Sequence, residues 1–224
     1  MAATGERGGI RAHWDSGEAA RFYRAQRWSS ARKRERDPRL VDRILARHLD
    51  GVGRDSTAPP LVLDVPCGAG RLAAVLAAHG SYVGVDLSPA MLAEARKVDA
   101  SSLALLRGEI QRLPFADGSF DAVVCCRLLH HVREPEHVAD VLRELCRVSR
   151  RLVVASFWDA GTLPAWRRRV LPGEREARRF AHGKVDLESA LAGTGADVIA
   201  WRHHLRFFSR QTFLVAEKRS RGAR

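Results

Sequence analysis

The chain has 224 residues, of which 46% are hydrophobic and 29% charged, a composition typical of a globular protein with a sizeable core. It contains no apolar run long enough to cross a bilayer and no apolar N-terminal segment. We therefore expect no membrane span, no secretory signal and a cytoplasmic location. The four cysteines show no CxxC spacing and no pattern of zinc ligands, which argues against a disulfide framework and against a metal site.

The net charge of +12 leaves two interpretations open. A strongly basic chain can present a surface that binds polyanions such as nucleic acid. The cations are almost all arginine, however, and a GC-rich coding sequence produces the same bias without any such function. The charge alone therefore does not select a function.

Two helices are predicted ahead of the first strand. One covers about residues 16–30 and carries several aromatic side chains, and the other begins at Pro38, because proline suits the first position of a helix. A linker rich in Gly, Asp, Ser and Pro, residues 50–60, separates these helices from the strand.

The stretch LVLDVPCGAGRLA, residues 61–73, predicts a buried strand that passes through a tight turn into a helix. The turn spans Pro66–Gly70, and its two glycines permit positive φ and let another molecule approach bare backbone. A helix that begins there points free N–H groups at whatever lies over the turn. The pattern indicates a site that holds a cofactor.

Strand and helix patterns then alternate along the chain, which is typical of a doubly wound, mostly parallel α/β sheet with helices on both faces. The strand patterns are SYVGVDL (81–87), LALLRG (103–108), FDAVVCCRL (120–128) and RLVVASF (151–157), and the helix patterns are SPAMLAEARKV (88–98) and EPEHVADVLRELCRVS (134–149). The remainder is a basic, irregular stretch, then a helix in VDLESALAGTG (185–195) and two paired strands in residues 197–218.

The glycine spacing formally meets the dinucleotide fingerprint, since Gly68, Gly70 and Ala73 are followed by Asp86 at the end of the second strand. This short match is weak. Asp64 stands just before the turn, where it would repel a pyrophosphate and where it suits a cationic ligand group better.

Three blocks in order resemble the first three motifs of class I S-adenosylmethionine-dependent methyltransferases, and most closely those of small bacterial quinone and small-molecule methyltransferases. The blocks are DVPCGAGR, VGVDLSPAMLAEAR and GEIQRLPFADGSFDAVVCCRLLHHV. The resemblance covers roughly residues 60–156 and departs from the family at Pro66, where glycine is more usual. It implies a Rossmann-like, seven-stranded, mostly parallel sheet with an antiparallel last strand and N-terminal lid helices.

The resemblance also implies which residues bind S-adenosylmethionine. Asp64 would lie near the methionine amino group, and Asp86 would accept both ribose hydroxyls. Three residues of the turn would give backbone contacts to the methionine half, namely Cys67, Gly68 and Gly70.

The other implied contacts are spread along the chain. Leu87 and Met91 would pack against the adenine, and the pair Glu109 and Ile110 would meet its amino group and ring nitrogen. Two residues would lie by the methionine and its carboxylate, namely Cys126 and Arg127. Tyr23 and Arg24 fit an N-terminal lid helix that closes over the cofactor, or equally an ordinary amphipathic helix.

His130 and His131 are the candidate catalytic residues, because histidine titrates near neutral pH and a base near the acceptor helps a hydroxyl lose its proton. The alternative is that a histidine here packs or forms hydrogen bonds. His203 and His204, on a predicted strand, are weaker candidates.

We therefore expect a methyltransferase that acts on a small-molecule acceptor of anionic or polar character, with no metal. The alternatives are an RNA methyltransferase, favoured by the charge and by the Arg- and Trp-rich segments, and a non-catalytic module that binds S-adenosylmethionine.

The expected organisation is one domain with two flexible tails. Its parts are a tail at 1–10, the domain at 11–218, its N-terminal helices at 11–50, the cofactor-binding core at 60–156, a basic substrate-side segment at 157–185, and a tail at 219–224.

Overall fold

The computed structural model describes residues 31–49, 58–98, 102–170, 179–205 and 209–219. The chain divides into two compact units, Met1–Glu109 and Ile110–Arg224. The predicted helix at residues 16–30, with Tyr23 and Arg24, lies outside the described residues, as does the predicted tail at 1–10. The division of residues 11–218 into functional parts stays a prediction.

The described part of the first unit alternates helices and strands. Its elements are α1 (Ala31–Leu49), β1 (Leu61–Asp64), α2 (Ala73–Ala77), β2 (Ser81–Asp86), α3 (Pro89–Ala95) and β3 (Ser102–Arg107). β1 pairs with β2 and β2 with β3, both in parallel, so the strand order is β3-β2-β1. Because the strands are parallel, β1 and β2 bring their last residues, Asp64 and Asp86, to the same edge of the sheet.

The second helix begins earlier than we expected. The prediction that it starts at Pro38 is wrong, since α1 already includes Ala31 and continues through the proline. Proline removes one backbone donor from a helix interior, but the residues around it are mostly strong helix formers. Glu35 and Arg39 also form an ion pair one turn apart across the proline.

The helix expected after the glycine-rich turn is present but short, because α2 covers only five residues. α3 has the predicted start. The hydroxyl of Ser88 accepts a hydrogen bond from the Met91 backbone N–H at 3.3 Å, and Pro89 occupies the first helical position.

The second unit holds the remaining strands. Its described elements are β4 (Phe120–Cys125), a 3-10 turn (Leu129–His131), α4 (Pro135–Val148), β5 (Ser149–Trp158), α5 (Leu163–Val170), α6 (Lys184–Leu191), β6 (Ala196–His203) and β7 (Gln211–Lys218). The strand order is β4-β5-β7-β6, in which β4 and β5 are parallel and β7 is antiparallel to both β5 and β6. The interiors of β5 and β7 are buried, as a central strand pair requires.

Two local predictions in this unit need correction. β4 ends at Cys125 rather than at residue 128, because Arg127 adopts a positive φ of 67° that a strand cannot contain. The stretch after β5 is not wholly irregular, since its Ala- and Arg-rich residues form α5.

The seven strands make a mixed, mostly parallel sheet, and β7 is the antiparallel last strand. The predicted Rossmann-like α/β fold class is therefore confirmed. Of the helices in the described part of the chain, none combines the length and the apolar character needed to span a membrane. Among the same residues, no group of three His, Cys, Asp or Glu side chains has a metal-binding arrangement.

Candidate functional site

The glycine turn, Pro66–Gly70, is fixed by hydrogen bonds to the end of β2. The Cys67 N–H donates to the carbonyl of Val85 at 2.8 Å, and the Gly68 N–H donates to Oδ2 of Asp86, also at 2.8 Å. Gly68 and Gly70 have φ values of 54° and 78°. Both glycines therefore hold the positive φ that the sequence predicts.

The two glycines serve different purposes. A Cβ on Gly70 would lie 3.1 Å from Cγ2 of Val98 and 3.3 Å from Cα of Ala95. A side chain at this position would therefore crowd the end of α3, and glycine allows the close packing. A Cβ on Gly68 would meet none of the described residues within 4 Å. Of the two glycines, Gly68 is thus the one that leaves room for the predicted close approach of a ligand.

Asp86 lies at the end of β2 and is only 7% exposed. Its Oδ2 accepts the Gly68 N–H, and its Oδ1 accepts the Ser88 N–H at 2.9 Å. Asp86 therefore holds the turn in shape, and a carboxylate is the acceptor-only, bidentate group that a pair of hydroxyls requires.

Asp64 is 1% exposed, and the hydroxyl of Tyr82 donates to its Oδ2 at 3.3 Å. Its Oδ1 has no hydrogen-bond partner among the described residues. Burial raises the pKa of Asp64 to about 8, against the opposing effects of Tyr82 and the positive charge of Arg71. A buried carboxyl group with one unpaired oxygen fits a cationic or hydrogen-bond-donating ligand group.

Tyr82 and Gly84 belong to this site and were missed by sequence reasoning. Gly84 lies opposite Asp64 in the parallel register, and a Cβ on it would lie 2.8 Å from the Tyr82 hydroxyl. The missing side chain therefore lets the tyrosine reach the carboxylate. The sequence could have indicated this arrangement, because Tyr82, Gly84 and Asp86 are every second residue of β2 and so share one face of the sheet.

The remaining predicted contacts of the first unit differ in exposure. Met91 is buried against Ala69 of the glycine turn. Leu87 is half-buried, and Glu109 is exposed at the end of the unit. Ile110 opens the second unit and is half-buried there.

In the second unit, Cys126 and Arg127 follow β4. The Arg127 N–H donates to the hydroxyl of the buried Ser156 at 2.7 Å. That hydroxyl also contacts Sγ of Cys126 at 3.8 Å. Ser156, which was not predicted, thereby fixes the positive-φ backbone of Arg127, a conformation that clusters at functional sites.

The two candidate catalytic histidines differ in their surroundings. His130 is 1% exposed, and its ring stacks on Trp158 with centroids 5.1 Å apart and planes 8° apart. His131 is half-buried, with its ring centroid 4.3 Å from that of His130. The Nε2–H of His182 donates to the Leu129 carbonyl oxygen at 2.8 Å, and burial lowers the pKa of His182. Trp158 was not predicted as a partner of either histidine.

The weaker candidates have structural contacts within β6 and β7. Nδ1 of His203 lies 3.0 Å from the Thr212 hydroxyl. The ring of His204 meets that of Phe213 edge-on at 5.9 Å.

Comparisons with known proteins agree with this architecture. Residues 63–154 match the family model described as a methyltransferase domain. The demethylmenaquinone methyltransferase of Beutenbergia cavernae is 36% identical over 138 residues, which are 57% of this chain and 54% of that protein. The chloroplastic magnesium protoporphyrin IX methyltransferase of Arabidopsis thaliana is 33% identical over 149 residues, 62% of this chain and 47% of that protein. The chain thus spans about half the length of these curated relatives.

A solved structure shares the fold over nearly the whole chain. The magnesium protoporphyrin IX methyltransferase of Synechocystis PCC 6803, crystallised with bound SAH, superposes with a TM-score of 0.74 at 20% identity, covering 95% of this chain and 100% of that one. Residues 63–154 are thus similar to a methyltransferase domain, and the chain shares the fold of this solved methyltransferase structure.

Proposed function

We propose that this protein binds S-adenosylmethionine and transfers its methyl group to an O, N or C nucleophile of a small molecule. The observation that carries the proposal is the unpaired Oδ1 of buried Asp64 beside the open backbone of Gly68. An ammonium group would supply the missing hydrogen bond and balance the charge of the carboxylate. The residues present therefore fit the methionine end of the cofactor.

The cofactor contacts extend the same proposal to other residues. In the first unit, Asp64, Cys67, Gly68 and Gly70 would hold the methionine half. Asp86 would accept the ribose hydroxyls, because a carboxylate is an acceptor-only, bidentate group. The residues proposed to surround the adenine are Leu87, Met91, Glu109 and Ile110.

Three further residues complete the proposed set. Cys126 and Arg127 would contact the methionine and its carboxylate, because arginine matches a carboxylate with two parallel hydrogen bonds. Tyr23, which lies outside the described residues, would belong to a lid over the cofactor.

When bound, S-adenosylmethionine supplies a methyl group that is already activated for transfer. The protein's own task is then to align the acceptor and exclude water, and alignment can supply about 7–11 kcal/mol of the barrier. We assign the general base to the histidine pair. His131 is the better placed to exchange a proton through a ring nitrogen, because His130 is more deeply buried and one face of its ring is covered by Trp158.

The proposed acceptor is a small molecule of anionic or polar character. The named relatives act on a demethylmenaquinone and a magnesium protoporphyrin, which are small molecules. In this chain, residues 157–185 contain seven Lys and Arg against three Asp and Glu, a local excess of positive charge that favours an anion.

A cytoplasmic location is part of the proposal. The described residues include four buried cysteines that form no disulfide, as is usual for a protein in a reducing compartment.

Calorimetry with S-adenosylmethionine tests the cofactor assignment, with NAD as the matched control. We expect binding of the first and none of the second, and tight NAD binding would overturn the assignment. A methyl-transfer screen against cell extract, split into RNA, protein and small-molecule fractions, then tests the acceptor class.

The two rivals give different results in these experiments. An RNA methyltransferase would label the RNA fraction, and its RNA affinity would fall steeply with salt, with a log–log slope near −0.7 per phosphate contact. A non-catalytic module would bind the cofactor and label no fraction. We expect weak, non-specific RNA binding and methyl transfer to the small-molecule fraction.

A further inference from the structure

Three arginines from separate segments gather around Trp158, the last residue of β5. The guanidinium carbons of Arg168, Arg179 and Arg210 lie 5.2, 5.3 and 5.4 Å from the centroid of its rings. Arg168 belongs to α5, and Arg210 directly precedes β7. Arg179 lies shortly before His182, the residue that forms a β-bridge with Asp159. We call these three residues the arginine cluster.

The cluster concentrates positive charge at one point. Each guanidinium carbon lies within 5.4 Å of the same ring centroid, so no two can be further apart than twice that distance. Arginine stays protonated in proteins, so the three charges are permanent. Charges this close repel one another, because the separation is comparable to the screening length of physiological salt.

The neighbouring carboxylate of Asp159 already serves other groups. Its Oδ1 accepts the Gly161 N–H at 2.8 Å, and its Oδ2 lies 3.2 Å from Nζ of Lys184 and 3.3 Å from the Thr212 hydroxyl. Asp159 therefore fixes the chain that follows β5.

A second observation comes from the strand opposite Trp158. Gln211 is 6% exposed, and its Nε2 has no hydrogen-bond partner among the described residues. Gln211 is the direct antiparallel partner of Trp158, so the two side chains leave the sheet on the same face. A buried amide donor without a partner is unfavourable, and a ligand oxygen would satisfy it.

These observations point to one chemistry. Arginine forks match the oxygens of a carboxylate or a phosphate, and an amide N–H donates to the same atoms. The position is also suitable, since ligands of open α/β sheets bind beyond the carboxyl ends of the strands. Trp158 is the carboxyl end of β5, and its ring stacks on His130.

We propose that the arginine cluster and Gln211 bind an oxyanion, a carboxylate or a phosphate, carried by the methyl acceptor. This inference rests on the proposed function, because it assigns the anion to the acceptor. The Trp158 ring orients the guanidinium groups, and its stacking on His130 connects the anion site with the proposed base.

Calorimetry on the protein saturated with S-adenosylhomocysteine tests the proposal. The probes are benzoate, phenyl phosphate and benzyl alcohol, which differ in their charged group. We expect at least one anion to bind about tenfold or more tightly than the neutral alcohol, and the preferred anion identifies the carboxylate or the phosphate as the source. If neither anion binds better than benzyl alcohol, the proposal is wrong.

Matched variants locate the binding. Arg168→Gln and Arg210→Gln should each weaken the preferred anion about tenfold or more, which is the loss expected for a hydrogen bond to a charged group. Arg143→Gln removes the same charge from an exposed pair on α4 and should leave the affinity unchanged. An equal loss in all three variants would mean a general charge effect and would overturn the proposal.

Gln211→Leu keeps the test decisive if an arginine variant fails to fold. Replacing an unpaired buried amide with an apolar group of similar size should leave the melting temperature unchanged or raise it, while the affinity for the anion falls. Unchanged anion affinity in a folded Gln211→Leu variant would remove Gln211 from the site. Binding of S-adenosylhomocysteine separates the two hypotheses. If the wild type does not bind S-adenosylhomocysteine, the proposed function is wrong. If it binds S-adenosylhomocysteine but no anion, only the present inference is wrong.

Discussion

The glycine turn of the first unit and the arginine cluster of the second unit are built in opposite ways. The turn is a short, continuous piece of chain whose contacts are made mainly by backbone groups. Its main side-chain partner, Asp86, follows after a single helix and strand. The cluster consists of three long side chains from three separate segments, arranged around the ring of Trp158.

The difference explains why one region follows a recognisable pattern and the other does not. A backbone site for a constant ligand requires glycines at fixed spacing, so it leaves a local signature. A site made of side chains can be assembled from many positions, and its composition can change with the ligand. The proposed cofactor site can therefore be recognised from the sequence, whereas the proposed anion site cannot.

The largest expected effect tests whether the second unit takes part in the chemistry. His131→Ala should lower the methyl-transfer rate about 10²- to 10⁴-fold if this histidine is the general base. Affinity for S-adenosylhomocysteine should not change. His137→Ala, a partly exposed histidine on α4 paired with Glu134, is the control. Normal turnover in both His131→Ala and His130→Ala would mean that alignment alone suffices and that the histidines are structural.

A smaller effect is expected at the anchor of the glycine turn. Asp86→Ala should weaken S-adenosylmethionine binding by about 1.5–3 kcal/mol, the contribution of hydrogen bonds to a charged group. Calorimetry measures this loss. Because Asp86 also holds the turn, Ser88→Ala is the control, since it removes only the cap of α3 and should cost about 1 kcal/mol of stability without changing affinity. Equal losses of affinity in both variants would show that the effect is structural.

The pH dependence of cofactor binding tests the buried carboxyl group of Asp64. With a pKa of about 8 in the free protein, the ionised form declines as pH falls below 8, so the affinity for an ammonium group should fall roughly tenfold per pH unit. A pH-independent affinity in the wild type over this range would contradict the assignment.

The stability of the free protein should depend on pH in the opposite direction: it should fall as pH rises, whereas the cofactor affinity should rise. A folded-state pKa raised above the unfolded value of 3.8 gives stability that is fully present below that value and is lost as pH rises through about 8. Asp64→Asn should flatten this part of the profile of melting temperature against pH. A profile identical to that of the wild type would mean that Asp64 is ionised throughout.

The smallest effect separates the two glycines of the turn. Gly68→Ala and Gly70→Ala both place a side chain at positive φ, which costs about 1–2 kcal/mol. Only Gly70→Ala adds the 3.1 Å contact with Val98, so it should melt at the lower temperature of the two, by a few degrees for a chain of this size. Gly68→Ala should lose more cofactor affinity than Gly70→Ala, relative to the fall in melting temperature of each variant. Wild-type affinity in a folded Gly68→Ala variant would contradict the close approach of the cofactor there.

The sequence by itself determined the fold class, the order of the strands along the chain and the glycine turn with its two acids. It could do so because strand and helix periods and glycine spacing are local properties of the chain. The bounds of α1 and β4 needed the structure, since α1 continues through Pro38 and the backbone of Arg127, bonded to Ser156, turns to a positive φ after β4.

Only the tertiary structure decided which side chains meet. Tyr82 reaches Asp64 because Gly84 leaves room beside it, and this depends on the register of β1 and β2. Trp158 meets Arg210 and Gln211, some fifty residues further along the chain, because β5 and β7 pair antiparallel. No pattern in the sequence specifies contacts of this kind, since strand pairing brings together residues that are distant in the chain and leaves no periodic signal.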